Sequence, residues 1–205
     1  PGPSEKGGAC EKGGGGKEGR CRNEGDRFEA AGRPQAGIEE GRAMSHAEVV
    51  VHRDATLLAR AVAARLVTRL VDAQAARGVA HLVVTGGGMG TAVLAELAAA
   101  PARDAIDWAH LHVWWGDERF VPAGDPDRND VGAKAALLDL VPLDPGHLHA
   151  MPSSDGPDAD AEAAATRYAA ELAAAARPED HGPVPAFDVL MLGIGEDGHV
   201  ASLFP

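Results

Sequence analysis

Three short segments carry side chains whose types and spacing could do chemistry. In Gly193–Pro205 (GIGEDGHVASLFP), Asp197 stands two residues before His199, with Gly198 between them. A carboxylate at that reach can fix the tautomer of an imidazole and raise its basicity, which makes a general base. Gly198 permits an unusual backbone angle between the two. The alternative is a surface histidine satisfied by a local hydrogen bond. In Trp114–Phe120 (WWGDERF), Asp117, Glu118 and Arg119 sit together. Arg119 could clamp a phosphate or carboxylate bidentately, and Asn129 could add an amide hydrogen bond. A solvated turn is the bland reading of such a charge run, but Trp114, Trp115 and Phe120 point to a partly enclosed pocket wall. In Thr85–Thr91 (TGGGMGT), Gly86, Gly87 and Gly88 let backbone N–H groups approach an anion, and a following helix N-terminus would add partial positive charge. This is no Walker motif, and Thr91 falls where G-x-G-x-x-G needs Gly or Ala. A tight strand-to-helix turn would look the same.

The pattern around these segments alternates strand and helix. Ala47–His52 (AEVVVH) reads as a strand. Asp54 caps a helix that runs to about Arg77, with Leu58, Val62, Leu66 and Leu70 on one face, and Gly78 stops it. His81–Thr85, Leu111–Trp115 and Phe187–Leu192 read as buried strands. Thr91–Ala100, Val131–Leu140 and Ala159–Ala176 read as helices, with loops at Gly86–Gly90, Gly116–Asp130 and Gly193–Gly198. Such alternation predicts a mostly parallel, Rossmann-like α/β sheet with helices on both faces. Sheets of this kind bind ligands outside the carboxyl ends of their strands, and all three segments fall at that edge.

The 205 residues divide sharply. Residues 1–43 hold 12 of the 26 glycines, both cysteines (Cys10 and Cys21), and eight acidic against eight basic side chains. The entire net charge of −12 therefore sits on residues 44–205. Residues 1–43 cannot offset their ordering entropy and read as a disordered extension, a gene-start artefact, with a genuine flexible tail as the alternative. The spacing of Cys10 and Cys21 matches no metal site. Residues 44–205 read as one α/β domain. Its acidity argues against nucleic acid or an anionic membrane as partner. No run approaches 18 apolar residues, and the start lacks the apolar stretch of a secretory signal. A folded part without cysteine fits a reducing cytoplasm. His110/His112 and His147/His149 could each chelate a metal if they lie in strands, but neither pair has an evident third ligand, so local hydrogen bonding is the default.

The segment FDVLMLGIGEDGHVASLFP resembles the signature of the 6-phosphogluconolactonase family. The glycine loop, WWGDERFVP and Asn129 occur in the family's order and at similar spacing, from about Val49 to Pro205. Many members carry Ser-Gly-Gly-Ser-Thr-Pro at the first loop, where this chain has Thr85-Gly86-Gly87-Gly88-Met89-Gly90, so two hydroxyl donors are replaced. The resemblance implies hydrolysis of 6-phospho-D-glucono-1,5-lactone to 6-phosphogluconate without metal or organic cofactor. His199 would be the general base and Asp197 its orienting partner. Arg119, Asp117, Asn129 and Gly86–Gly88 would bind a small phosphosugar lactone, and Ser202 would serve the turn after the loop. A sugar-phosphate deaminase or isomerase resembling glucosamine-6-phosphate deaminase is the alternative enzyme. That family continues its Asp-Gly-His turn with an Asn-Glu-Pro-like segment, where Ser202–Pro205 stand here. A non-catalytic sugar-phosphate sensor is the alternative outside enzymes, but residues 1–43 offer no DNA-binding helix pair. Family members continue for roughly another fifth of their length past this signature, so the resemblance implies a C-terminally truncated product with a sheet incomplete at that end.

Overall fold

The structure, a computed structural model, describes residues 47–180 and 182–205. The expectations for residues 1–43, Cys10 and Cys21 included, lie outside the described residues. A compact unit spans Val49–Pro205.

Its first helix, α1 (Ala55–Arg77), starts where a side chain can satisfy its free amides. The Asp54 carboxylate accepts the Leu57 N–H at 2.7 Å. It ends at Gly78, whose φ of 76° lets the chain turn left-handed. One stripe, including Ala63, Leu66 and Leu70, is buried. The chain continues through β1 (Ala80–Val84), α2 (Gly87–Ala99), β2 (Leu111–Trp115), α3 (Asn129–Ala136), β3 (Leu148–His149), α4 (Ala161–Ala175) and β4 (Val189–Leu190). The four strands form one parallel sheet in the order β3-β2-β1-β4. Ala80 pairs with Leu111 and Val84 with Trp115. Leu82 pairs with Val189 on the other side of β1, and Val113 with Leu148 on the far side of β2.

The period of two along each strand builds two cores. Leu82, Val84, Val113 and Trp115 face α1, α2 and α3, where they meet Leu70, Val93, Leu94, Leu97 and Ala133. Val83 and Trp114 point the other way, toward Tyr168 of α4 and Phe187. Helices thus cover both faces, as the alternating pattern predicts. Each fully buried Leu or Val contributes on the order of 1.5–3 kcal/mol, which makes β1 and β2 a rigid base for the loops that leave their ends.

Four expectations shift. Ala47–His52 forms no strand: it pairs with nothing among the described residues, and Val49 and Val51 are 85 % and 88 % exposed. A β-branched run without a neighbouring edge has no ladder to join. Gly87–Gly90 is the first turn of α2 rather than a loop, with Gly86 at the N-cap. Gly90 packs on the preceding strand end, where a β-carbon would sit 2.5 Å from the Thr85 carbonyl oxygen. The Val131–Leu140 helix begins at Asn129 and gives way to a 3₁₀ turn at Leu138–Leu140. The Phe187–Leu192 strand contracts to Val189–Leu190, and the two-residue β3 adds a strand with too little periodicity to read. Among the described residues, no helix is long and apolar enough to cross a membrane.

Candidate active site

Parallel strands end at a common edge, so the segments after β1, β2 and β4 converge there. They enclose a cleft of about 470 Å³, within the range of small-molecule sites. Gly86, Gly87, Gly88, Asp117, Arg119, Asn129 and His199 all line it, together with Thr85 and Gly195. Asp197 reaches the cleft through His199 alone.

The His199 Nδ1 is hydrogen-bonded to Asp197 Oδ1, which also accepts the His199 backbone N–H at 3.2 Å. Gly198 takes a φ of 87°, the left-handed turn that brings the two side chains to the same side. With Nδ1 donating to the carboxylate, Nε2 keeps a lone pair able to take a proton. The imidazole in turn holds the Asp197 carboxyl below the usual carboxylate range. The side chains are 36 % and 58 % exposed, so the pair adds little to stability. Its consequence is an oriented imidazole nitrogen at the wall of the cleft.

In the same cleft, α2 starts without a side-chain cap. The first N–H groups of a helix have no intrahelical partner, and its dipole places partial positive charge there. Glycines at this end leave the amides open to a ligand.

The third wall is Arg119 and Asn129. Arg119 Nη1 donates to Asn129 Oδ1 at 2.9 Å, and Asn129 Nδ2 donates to the Asp117 carbonyl at 3.0 Å. Asn129 lies directly against Gly86, where a β-carbon would overlap its amide. Behind this wall is an ion cluster. Arg128 pairs with Asp130 at 2.8 Å and Glu118 at 3.7 Å, all three side chains 4 % exposed or less. Lys134 reaches Asp130 at 2.8 Å. Burial pushes the Asp130 carboxyl up, but hydrogen bonds from Lys134 and Arg128 outweigh it and hold it below its ordinary value.

Sequence reasoning counted Arg128, Asp130 and Lys134 in no site, and treated Glu118 as one charge of a run. The available signal was the Arg-Asn-Asp string at the start of a helix, which charge counting alone does not separate from a solvated face. Ser202 sits in the turn closed by Val200 and Leu203, as expected, and makes one contact that the sequence does not disclose. Its hydroxyl donates to Asp117 Oδ2 at 2.9 Å and bridges two walls of the cleft.

Of the two candidate histidine pairs, His110 keeps the expected local hydrogen bond, while His112 and His149 turn to partners on other elements. His110 bonds Asp107 at 2.8 Å. His112 Nδ1 lies 2.9 Å from His149 Nε2, and His149 Nδ1 lies 2.6 Å from Glu171. His81 stacks on His112 and His147 packs tilted against it, with ring centres 4.7 Å and 3.9 Å away, while Trp114 stacks on His149 at 3.7 Å. Among the described residues, no group of three His, Cys, Asp or Glu side chains is placed to hold a metal ion.

Comparison with known proteins gives consistent matches. The family described as glucosamine-6-phosphate isomerases/6-phosphogluconolactonase matches residues 53–205. A Streptomyces coelicolor protein named 6-phosphogluconolactonase is 63 % identical over 159 residues, covering 77 % of this chain and 61 % of the relative. One of the same name from Mycobacterium tuberculosis is 44 % identical over 158 residues, covering 77 % and 62 %. The structure of 6-phosphogluconolactonase from Trypanosoma brucei superposes with a TM-score of 0.65 at 26 % identity, covering 76 % of this chain and 62 % of that one. The chain spans about three fifths of the length of these curated relatives.

Proposed function

The chain belongs to the glucosamine-6-phosphate isomerase/6-phosphogluconolactonase family, and from that premise we propose that it carries the site for hydrolysis of 6-phospho-D-glucono-1,5-lactone to 6-phosphogluconate. The observation that carries this reading is the His199–Asp197 pair on a cleft whose other walls offer an uncapped helix N-terminus and Arg119. A proton acceptor facing an anion site suits a phosphorylated ester.

In this reading the lactone phosphate sits at the start of α2, held by backbone N–H groups of the Gly86–Gly88 turn. Arg119, steadied by Asn129, draws the anionic substrate and stabilises the oxyanion that develops at the carbonyl. His199 Nε2 takes a proton from water as the water oxygen attacks C1. The tetrahedral intermediate collapses, the C1–ring oxygen bond breaks, and His199 returns the proton to that oxygen. Asp197 holds the ring in the Nδ1–H tautomer and stabilises the imidazolium between the two steps. A δ-lactone is a reactive ester, so a base, an oriented water and an anion clamp supply all the chemistry required. The reading implies a small phosphosugar lactone as partner, no nucleic acid, and a cytoplasmic setting.

The test is acid release from fresh 6-phosphogluconolactone against its spontaneous hydrolysis. His199→Ala is expected to lower turnover by roughly 10²–10⁴-fold. Near-unchanged turnover in that variant would remove His199 from the mechanism, and no rate above background in the unsubstituted chain would overturn the reading itself.

A further inference from the structure

Glu118 is absent from the cleft lining, yet it is bonded to both residues that make the cationic wall. Its Oε1 accepts the Arg119 N–H at 2.9 Å and the Asn129 N–H at 2.7 Å. Its Oε2 accepts the Asp130 N–H at 2.9 Å. One carboxylate thus ties the strand-exit turn to the first turn of α3, with a side chain only 2 % exposed. Arg128 sits behind it, equally buried, and anchors the same turn to the neighbouring segment through the Met151 carbonyl at 2.7 Å.

We infer that Glu118 is the positioning residue of the anion clamp: its carboxylate sets the Arg119 guanidinium and the Asn129 amide against the cleft by gripping their backbone N–H groups. The inference rests on the reading that Arg119 holds the anionic substrate. Its chemical basis is acceptor count. Three N–H groups converge on two oxygens, and only an ionised carboxylate accepts at both. In a glutamine of the same shape one oxygen becomes an NH₂, which faces an N–H it cannot bond. The carboxylate also answers the negative requirement of a helix N-terminus and the buried charge of Arg128. A second acceptor is lost without emptying the space, so the backbone of Arg119 or Asn129 must shift, and the clamp moves with it. Displacements of about 1 Å at such a clamp are enough to cost substantial rate.

The experiment is a double-mutant cycle in the full chain: unsubstituted, Glu118→Gln, Arg119→Ala and both together. KM and kcat are measured for 6-phosphogluconolactone, with dissociation constants for the product 6-phosphogluconate and melting temperatures for each protein. Glu118→Gln is expected to raise KM and the product dissociation constant by about tenfold, to lower kcat by no more than Arg119→Ala does, and to add almost nothing once Arg119 is gone. Equal fold losses in both backgrounds, or a lowered melting temperature with KM unchanged, would overturn the positioning role and leave a purely structural one. Should Glu118→Gln fail to fold, Glu118→Asp, which keeps the charge but withdraws it by one methylene, carries the same cycle, and additivity there is equally fatal. If the unsubstituted chain neither turns over the lactone nor binds the product, the lactonase reading fails and the role assigned to Glu118 falls with it.

Discussion

The imidazole of His199 fills the space into which a β-carbon on Gly195 would project. The two residues are also joined through the main chain, where the Gly195 N–H donates to the His199 carbonyl at 2.9 Å. The glycine at 195 is therefore the seat of the proposed base, two residues away from the Asp197 that orients it. Gly195→Ala should displace the ring from Asp197 and from the cleft. The expected loss of kcat is at least about 10²-fold, close to that of removing the imidazole itself. The loop is exposed, so the melting temperature should stay within a few degrees. Full activity in Gly195→Ala would show that this placement of His199 is not the catalytic one.

A second expectation concerns acid. His112 is held to about 4, well below its ordinary 6.5, first by burial and then by its neighbours His147, His81 and His149, against a small opposing pull from Asp144. His81 is lowered too, chiefly by burial, with Asp188 and Asp180 opposing and Arg177 and His149 assisting. Glu171 faces the group from α4 through His149. A depressed histidine binds its proton more readily in the unfolded chain. Its contribution is complete above about pH 6.5 and is lost as the pH falls toward 4. Between pH 7 and pH 5 His112 alone should cost about 1–2 kcal/mol, the lower figure allowing for partial solvent access. Denaturant midpoints at the two pH values measure it. His112→Phe keeps a flat ring in the stack but cannot titrate, so its drop should be smaller by that amount. An equal drop in both proteins would discharge the histidine stack as the acid-sensitive element.

How much of this was legible beforehand follows from the range of each interaction. α1 was readable at both ends because Asp54 and Gly78 act within one turn of the residues they cap. β1 and β2 were readable because both bury a continuous apolar run. The cleft residues Gly86, Arg119 and His199 were readable as types, since each lies in a segment that leaves the end of a parallel strand, and Asn129 as an amide ten residues past Arg119. What failed depends on partners far away in sequence. Val49–Val51 has the composition of a strand but no edge to pair with. Glu118 looks like any surface glutamate until the start of α3 folds onto it. His112 and His149 meet only because β3 docks beside β2. Ser202 belongs to the same class, and its partner lies 85 residues earlier.

That last contact carries a consequence for catalysis. Among the described residues, Ser202 Oγ to Asp117 Oδ2 is the one hydrogen bond joining residues 193–205 to the rest of the chain. The other bonds of this segment are internal. Gly195 pairs with His199, Gly198 with Gly195, and Val200 with Leu203. The His199 loop is thus internally ordered but held to the Asp117–Arg119 wall at a single point. Ser202→Ala removes the donor and leaves a solvated carboxylate, which is not buried and needs no compensation. A hydrogen bond to a charged group is worth about 1.5–3 kcal/mol, and its partial exposure favours the lower end. The expected effect is a fall in kcat/KM of about 3–10-fold, with folding stability changed by less than about 1 kcal/mol, because the sheet and both cores do not depend on the tie. Asp117→Asn in the Ser202→Ala background separates the tie from any direct contact of Asp117 with substrate. If Asp117 acts only as the acceptor, the second substitution adds nothing. If it adds a further loss, Asp117 also works on the substrate side of the cleft. Unchanged kcat/KM in Ser202→Ala would mean that the internal bonds of the loop alone suffice to present His199.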